Sequence, residues 1–174
     1  MLSRSKINKA RSGIGVNLFS PIRLLLKNGH YVPAVILLCC CVDYLAKYYT
    51  GKIGGSLNKK NYIDFVKRFL PQYNSLDFYK IIRCGLIHSY NLGDKYLILK
   101  IGSYNIKNNL HLTKVFKNNQ EIILIHPRIL LEEVRTACKL YFKELKINEN
   151  LQFNFLKNVD VIDTRRQTYK VKKR

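Results

Sequence analysis

Apolar positions along the chain fall into blocks of helical period, with one shorter region of different period between them. Residues 17–27 read as a short helix with Pro21 near its first turn, ended by Gly29. Residues 32–49 read as a second helix, apolar on nearly every side as the central helix of a bundle is, and stopped by Gly51. Its polar exceptions, Asp43 and Lys47, stand at i and i+4 with the acid first, the favourable order for a helical pair. Residues 57–70 repeat Tyr62, Phe65, Val66 and Phe69 at helical spacing, and Pro71 ends them. Ser75 is placed to cap the next helix, whose stripe is Tyr79, Ile82, Leu86 and Tyr90.

After Gly93 the period changes. Residues 96–101, 110–116 and 121–125 are short β-branched and aromatic runs, and Asn118-Asn119 is a turn signal between the last two. They read as an antiparallel meander. Pro127 opens a long helix to about residue 145, with Leu130, Val134, Ala137, Cys138, Tyr141 and Leu145 on its core face. The predicted fold is mainly α: a bundle of four to five helices with a small β meander before the last long helix. Residues 1–16 read as a loose basic arm, 17–147 as the helical domain with the meander at about 95–126, and 148–174 as a weakly alternating, basic C-terminal extension.

Charge adds a partner to this picture. The formal net charge is +20, from 31 basic and 11 acidic residues. Part of the lysine excess fits an AT-rich coding sequence, but the scarcity of acids points to a polyanion, nucleic acid first and an anionic membrane surface second. Candidate phosphate contacts are Lys59, Lys60, Lys67 and Arg68, and Arg165, Arg166, Lys170, Lys172, Lys173 and Arg174 near the C-terminus. The five cysteines have no zinc-site spacing, and Cys39, Cys40 and Cys41 lie in an apolar run as small hydrophobes of a reduced protein. With no signal-peptide pattern, and with the apolar run at 32–42 too short to span a bilayer, a cytoplasmic protein without membrane attachment is expected.

The chemistry concentrates at Arg83-Cys84-Gly85-Leu86-Ile87-His88-Ser89-Tyr90. Histidine exchanges a proton near neutral pH, and arginine offers a fixed cationic fork to a phosphoryl oxygen. On an ideal α-helix the two lie roughly 140° apart, so a straight helix does not aim both at one atom. Gly85 allows a local bend, and the long arginine can swing its head across a turn. The alternative reading pairs Arg83 with Asp43 or a backbone carbonyl and leaves His88 to cap or pack.

Arg83 and His88 with four residues between, followed by Tyr90 two positions on, resemble the R-x4-H-x-Y signature of the HEPN family of all-α ribonuclease and toxin domains. The resemblance covers roughly residues 17–91. It implies a homodimeric, metal-independent endoribonuclease of toxin–antitoxin or phage-defence systems, with Arg83 and His88 catalytic at the dimer interface and no cofactor. It further implies a nucleotidyltransferase-type antitoxin that modifies Tyr90. Asp43 and Lys47 parallel an acidic-x3-basic pair of some HEPN families, and Cys84 stands where the family often has a polar residue. The rival expectation is a non-catalytic basic helical module that binds RNA or DNA, or serves in dimerisation. Lys52-Ile-Gly54-Gly55-Ser56 lacks the order of a phosphate-binding loop, and no third group orients a Cys84–His88 hydrolase pair. His30, His111 and His126 read as loop, strand and helix-start residues.

Overall fold

The computed structural model describes residues 4–51, 57–100 and 110–166, with residues 4, 57 and 159–166 by backbone alone. The basic start of the chain is helical within these bounds, not a loose arm. α1 (Arg4–Ile14) runs through a π-helical stretch (Gly15–Phe19) into α2 (Ser20–Lys27), with Pro21 in the first turn of α2. Ile7, Ile14, Phe19, Ile22 and Leu26 are buried. Ile7 and Ile14 are two α-turns apart. The step of five from Ile14 to Phe19 is bridged by the wider π turn, which bonds i to i+5 and keeps the next apolar residue on the same face. Two apolar anchors in fourteen residues are too sparse for local pattern to announce a helix.

α3 (Tyr31–Thr50) is the centre of the bundle and packs against α2, α4 (Leu57–Phe69), α6 (Pro127–Leu145) and α7 (Glu149–Arg166). It is long and apolar enough by length and composition to cross a membrane. Here one side of it, with Leu38, Val42 and Leu45, is buried in the protein core, while Val32, Ile36 and Leu37 are half-buried. Gly51 ends it at φ +68°, a left-handed cap that glycine adopts at little cost. The cysteines are free, and Cys39 and Cys41 are fully buried. Burial pushes the Cys39 thiol up to about 12, as expected of thiols that serve as packing groups.

The helix after Pro71 begins with a single turn, α5 (Ser75–Asp77), capped by Asn74. Asn74 Oδ1 accepts the N–H groups of Leu76 at 3.1 Å and Asp77 at 3.0 Å, so the cap lies one residue before the expected Ser75. It continues as a twelve-residue π-helix (Phe78–Ser89), the segment carrying the Arg83–His88 motif. Phe78, Ile82 and Leu86 are buried, whereas Tyr90, expected on that stripe, is 63% exposed because the helix ends there.

The small sheet contains β1 (Tyr96–Ile98), β2 (Lys114–Lys117) and β3 (Gln120–Ile125) in the order β1-β3-β2. β2 and β3 form the expected antiparallel hairpin, with Asn118 at φ +50° and Asn119 at +61° in the turn. β1, however, pairs with β3 in parallel, Tyr96 opposite Ile123, so the sheet is not a meander. The burial explains the order: β3 ends in buried Leu124 and Ile125 and takes the middle, while the largely exposed Lys114-Val115-Phe116-Lys117 suits an edge. Residues 101–109, which include the end of the first expected strand, lie outside the described residues.

α6 has the expected bounds, and its six expected core residues are all buried. Within the described residues the C-terminal extension forms α7 (Glu149–Arg166) rather than a weakly alternating segment. Leu151 and Phe155 are buried at i and i+4, and the intervening Phe153 faces outward beneath the Lys157 ammonium, 4.4 Å from its ring centre.

Candidate functional site

The π-helical form of residues 78–89 changes the geometry expected of the motif. In an α-helix the residue four positions on returns to the same face, and in a π-helix the fifth one does. Arg83 and His88 are five apart, so this helix brings their positions nearer to one side than α-helical spacing would. Gly85 has a different task. The chain turns back at Tyr90, a left-handed residue at φ +52°, and Gly85 O accepts the Asn91 N–H at 3.1 Å. This closes the helix in the manner of a Schellman cap, one residue wider than its α-helical form. A methyl group on Gly85 would run into the Asn91 carbonyl oxygen.

Arg83 is held from several sides. Its Nε donates to Asp43 Oδ2 at 3.0 Å, its Nη2 lies 3.0 Å from the same oxygen, and its Nη1 donates to Cys84 Sγ at 3.7 Å. The guanidinium carbon sits 5.6 Å from the centre of the Tyr79 ring. Burial opposes its charge, but the Asp43 carboxylate and the Cys84 sulfur together outweigh burial and raise the Arg83 pKa. Both side chains of the pair are 18% exposed, so the cation is fixed yet reachable from solvent. The ion pair at Asp43 thus crosses to the motif helix, and Lys47, its expected helical partner, is exposed.

His88 and Tyr90 are exposed at the end of this helix, beside Ile87, which is also solvent-facing. Leu76 on α5 and Leu97 on β1 are further exposed apolar residues in the neighbouring elements. The structure therefore places Asp43, Arg83 and Cys84 in contact and sets His88 and Tyr90 at an open helix end. Of the expected phosphate contacts, Lys59, Lys60 and Lys67 are exposed on α4, while Arg68 pairs with Glu144 at 2.8 Å. Arg165 and Arg166 belong to the backbone-only end of α7, and Lys170, Lys172, Lys173 and Arg174 lie outside the described residues. The first carboxylate side chain in the sequence is Asp43, so the cations Arg4, Lys6, Lys9, Arg11, Arg23 and Lys27 precede any acid.

A second polar cluster has no signature in the sequence because its members are scattered over sixty positions. His111 lies in the turn before β2 rather than in a strand. Its Nε2 lies 3.1 Å from Glu133 Oε2 and 2.8 Å from the Tyr73 hydroxyl, which itself donates to Glu133. Burial alone would raise the Glu133 carboxyl, but hydrogen bonds from His111 and Tyr73 outweigh it and hold its pKa below the usual range. Glu133 borders an open groove of about 680 Å³ that Phe69, Pro71, Gln72, Arg128 and Leu140 also line. Arg83 and His88 do not line that groove. Among the described residues, no three His, Cys, Asp or Glu side chains gather as a metal-ligand set.

No protein-family model matches the chain, and no curated protein or solved structure matches it either.

Proposed function

We propose that this chain is a metal-independent endoribonuclease of HEPN type in which Arg83 and His88 act together on RNA at an interface between two copies. The observation that supports this reading is the π-helix, whose i→i+5 hydrogen bonding brings positions 83 and 88 nearer to one side of the helix than an α-helix would. Asp43 and Tyr79 fix the direction of Arg83, and the exposed helix end leaves His88 free to meet a substrate. The left-handed Tyr90 is a non-glycine residue in a conformation costing roughly 1–2 kcal/mol, of the kind that gathers at functional sites.

The chemistry follows from the groups. His88 takes the proton of a ribose 2′-hydroxyl. The resulting oxygen attacks the adjacent phosphorus and expels the 5′-oxygen, which takes up a proton. Arg83 stabilises the charge gathered on the phosphoryl oxygens. The products are a 2′,3′-cyclic phosphate and a 5′-hydroxyl, and DNA, without the 2′-hydroxyl, binds uncut. Exposed Lys59, Lys60 and Lys67 supply salt-sensitive phosphate contacts. Exposed Ile87 supplies an apolar contact for the second copy beside the site, and Tyr90 stays open to solvent. The setting that goes with this reading is a cytoplasmic toxin or phage-defence system, with a nucleotidyltransferase-type antitoxin as the partner that modifies Tyr90.

Incubation of the purified protein with labelled single-stranded RNA in EDTA tests the proposal. Cleavage that survives EDTA and disappears in His88→Ala and in Arg83→Ala supports it, and undiminished cleavage by both variants ends it. One observation favours a second reading: two of the Arg83 nitrogens already contact Asp43. If the arginine serves only to brace the bundle, the chain is a non-catalytic basic module, and RNA is bound and recovered intact.

A further inference from the structure

The outer face of α2 and α6 carries charge that the fold does not balance. α2 packs on α3 and α6 with Ile22 and Leu26 buried, which leaves Arg23 and Lys27 exposed one turn apart. On α6, Lys139, Lys143 and Lys146 stand at i, i+4 and i+7, all exposed and on one stripe. The exposed Arg11 joins them from α1. Burial raises the pKa of the Cys138 thiol on α6, and the charge of Arg11 beside it pulls the other way, so Arg11 lies next to the turn that carries Lys139. Among the described residues, none of these cations has an ion-pair partner. The acids of α6 are already engaged: Glu132 with Arg135 at 2.8 Å, Glu144 with Arg68 at 2.8 Å and Glu133 with His111 at 3.1 Å. Like charges one turn apart repel and cost stability. The helix dipole accounts for Lys27, Lys143 and Lys146 at C-terminal helix ends, but not for Arg23 or Lys139.

What this face lacks narrows the partner. Surfaces that grip single strands add aromatic rings, which stack on unpaired bases, to the cations that follow the backbone. Here Phe19, Tyr141 and Phe142 are buried, and α1 and α2 hold no aromatic residue. A helix that lies on a membrane puts its apolar face into the lipid. The apolar faces of α1 and α2, with Ile7, Ile14, Ile22 and Leu26, are instead used inside the core, and Val16 and Leu24 remain outside. The other exposed groups on this side are short and polar, Ser12, Asn17 and Ser20, of the kind that contacts phosphate and sugar without reading bases. We propose that the outer face of α2 and α6, with Arg11 beside it, binds a nucleic-acid duplex by its paired sugar–phosphate backbone. A duplex sets two strands of phosphates side by side, which suits cations spread over two helices. The face is independent of the nuclease reading, since neither Arg83 nor His88 belongs to it.

Fluorescence anisotropy of labelled probes over a salt series tests the face. The probes are duplex RNA and duplex DNA of about twenty base pairs and an unpaired oligothymidine strand of equal length. The two duplexes are expected to bind within about tenfold of each other, more tightly than oligothymidine, and to stay bound in an excess of phosphatidylserine vesicles. Arg23→Gln with Lys27→Gln, and separately Lys139→Gln with Lys143→Gln, are each expected to lower the salt slope of duplex binding by about two and to weaken it roughly tenfold or more at 0.1 M salt. Lys100→Gln with Lys117→Gln removes the same charge from exposed positions near the sheet, and is expected to change affinity by less than about threefold. All these positions are exposed, so helix content by circular dichroism is expected to match the parent chain in each variant. His88→Ala is expected to bind duplex as the parent does, which separates this face from the motif. Oligothymidine held as tightly as duplex, displacement of duplex by vesicles, a preference for one duplex beyond tenfold, or equal losses in the helix and sheet variants would each overturn the proposal.

Discussion

Asp43 and Arg83 lie forty positions apart in sequence, and one carboxylate oxygen of Asp43 receives two nitrogens of Arg83, each at 3.0 Å. The contact ties the centre of α3 to the middle of the motif helix and sets the direction of the only strongly cationic fork on that helix. Part of this pair stays in reach of water, so it is weaker than a sealed ion pair and stronger than a surface one. Asp43→Ala is expected to cost about 1–2 kcal/mol, between the values for exposed and buried pairs. Urea unfolding compared with the parent chain measures it. A loss under a few tenths of a kcal/mol would show that Tyr79 and Cys84 hold the arginine without the carboxylate.

The two motif residues differ in what they do for the fold. His88 is exposed and Arg83 is paired, so the variants should separate activity from stability. His88→Ala is expected to leave stability within about 0.5 kcal/mol while abolishing RNA cleavage. Arg83→Ala is expected to lose cleavage and also to destabilise the chain, because it strands Asp43. Paired melting curves and cleavage assays decide this. A large stability loss in His88→Ala would mean that the imidazole packs rather than reacts.

Much of the bundle is legible in the sequence because long helices repeat their apolar residues faithfully. Leu130, Val134, Ala137, Cys138, Tyr141 and Leu145 mark the buried face of α6, and Pro127 marks its start. α7 is not legible in the same way: Leu151, Phe153 and Phe155 fit a two-residue period as well as an i, i+4 helical pair, and only tertiary burial separates the two. The parallel pairing of β1 with β3 has no local signal, since strand order depends on partners remote in sequence. At the site the residues are visible but not their geometry. An α-helical period sets Arg83 and His88 apart, and the change to a π-helix is not written in the spacing of Phe78, Ile82 and Leu86, which suits either form. His111, Tyr73 and Glu133 are each ordinary in sequence and become a cluster only through the fold.

Two glycines give opposite expectations. Gly85 lies against the Asn91 carbonyl, where a Cβ has no room, and the obstacle is backbone rather than a movable side chain. Gly85→Ala is expected to cost about 1–3 kcal/mol and to shift the Tyr90 and Asn91 amide signals. Gly15, where an added methyl would meet nothing within 4 Å and φ is not positive, is the contrast. Gly15→Ala is expected to be neutral or to stabilise by up to about 1 kcal/mol, through lower entropy of the unfolded chain. Equal effects at both positions in thermal melts would remove the close approach as the explanation for Gly85.

The C-terminal end of α3 depends on α7 for its last hydrogen bonds. A helix leaves its final carbonyls without partners inside the helix. Gly51 N–H serves Lys47 O, and the Asn158 amide adds a second donor to that oxygen at 2.9 Å, while Asn154 Nδ2 donates to Tyr49 O at 3.0 Å. Asn158 is 2% exposed and also donates to Asn154 O at 3.1 Å, so water cannot readily replace its amide at either carbonyl. A hydrophobic residue there would fill the space and leave the Lys47 and Asn154 carbonyls with one donor fewer each. Asn158→Leu is therefore expected to destabilise the chain by about 1–3 kcal/mol despite its greater apolarity, the cost of an under-satisfied buried polar group. Asn158→Asp, which keeps the shape but removes the donor and sets a carboxylate against carbonyl oxygens, is expected to cost at least as much at pH 7 and to recover in part as acid protonates it. Urea midpoints at pH 7 and pH 4 for the two variants test the account: a stabilising Leu, or an Asp variant whose deficit relative to the parent does not shrink in acid, would show that α7 is held by Leu151 and Phe155 packing alone.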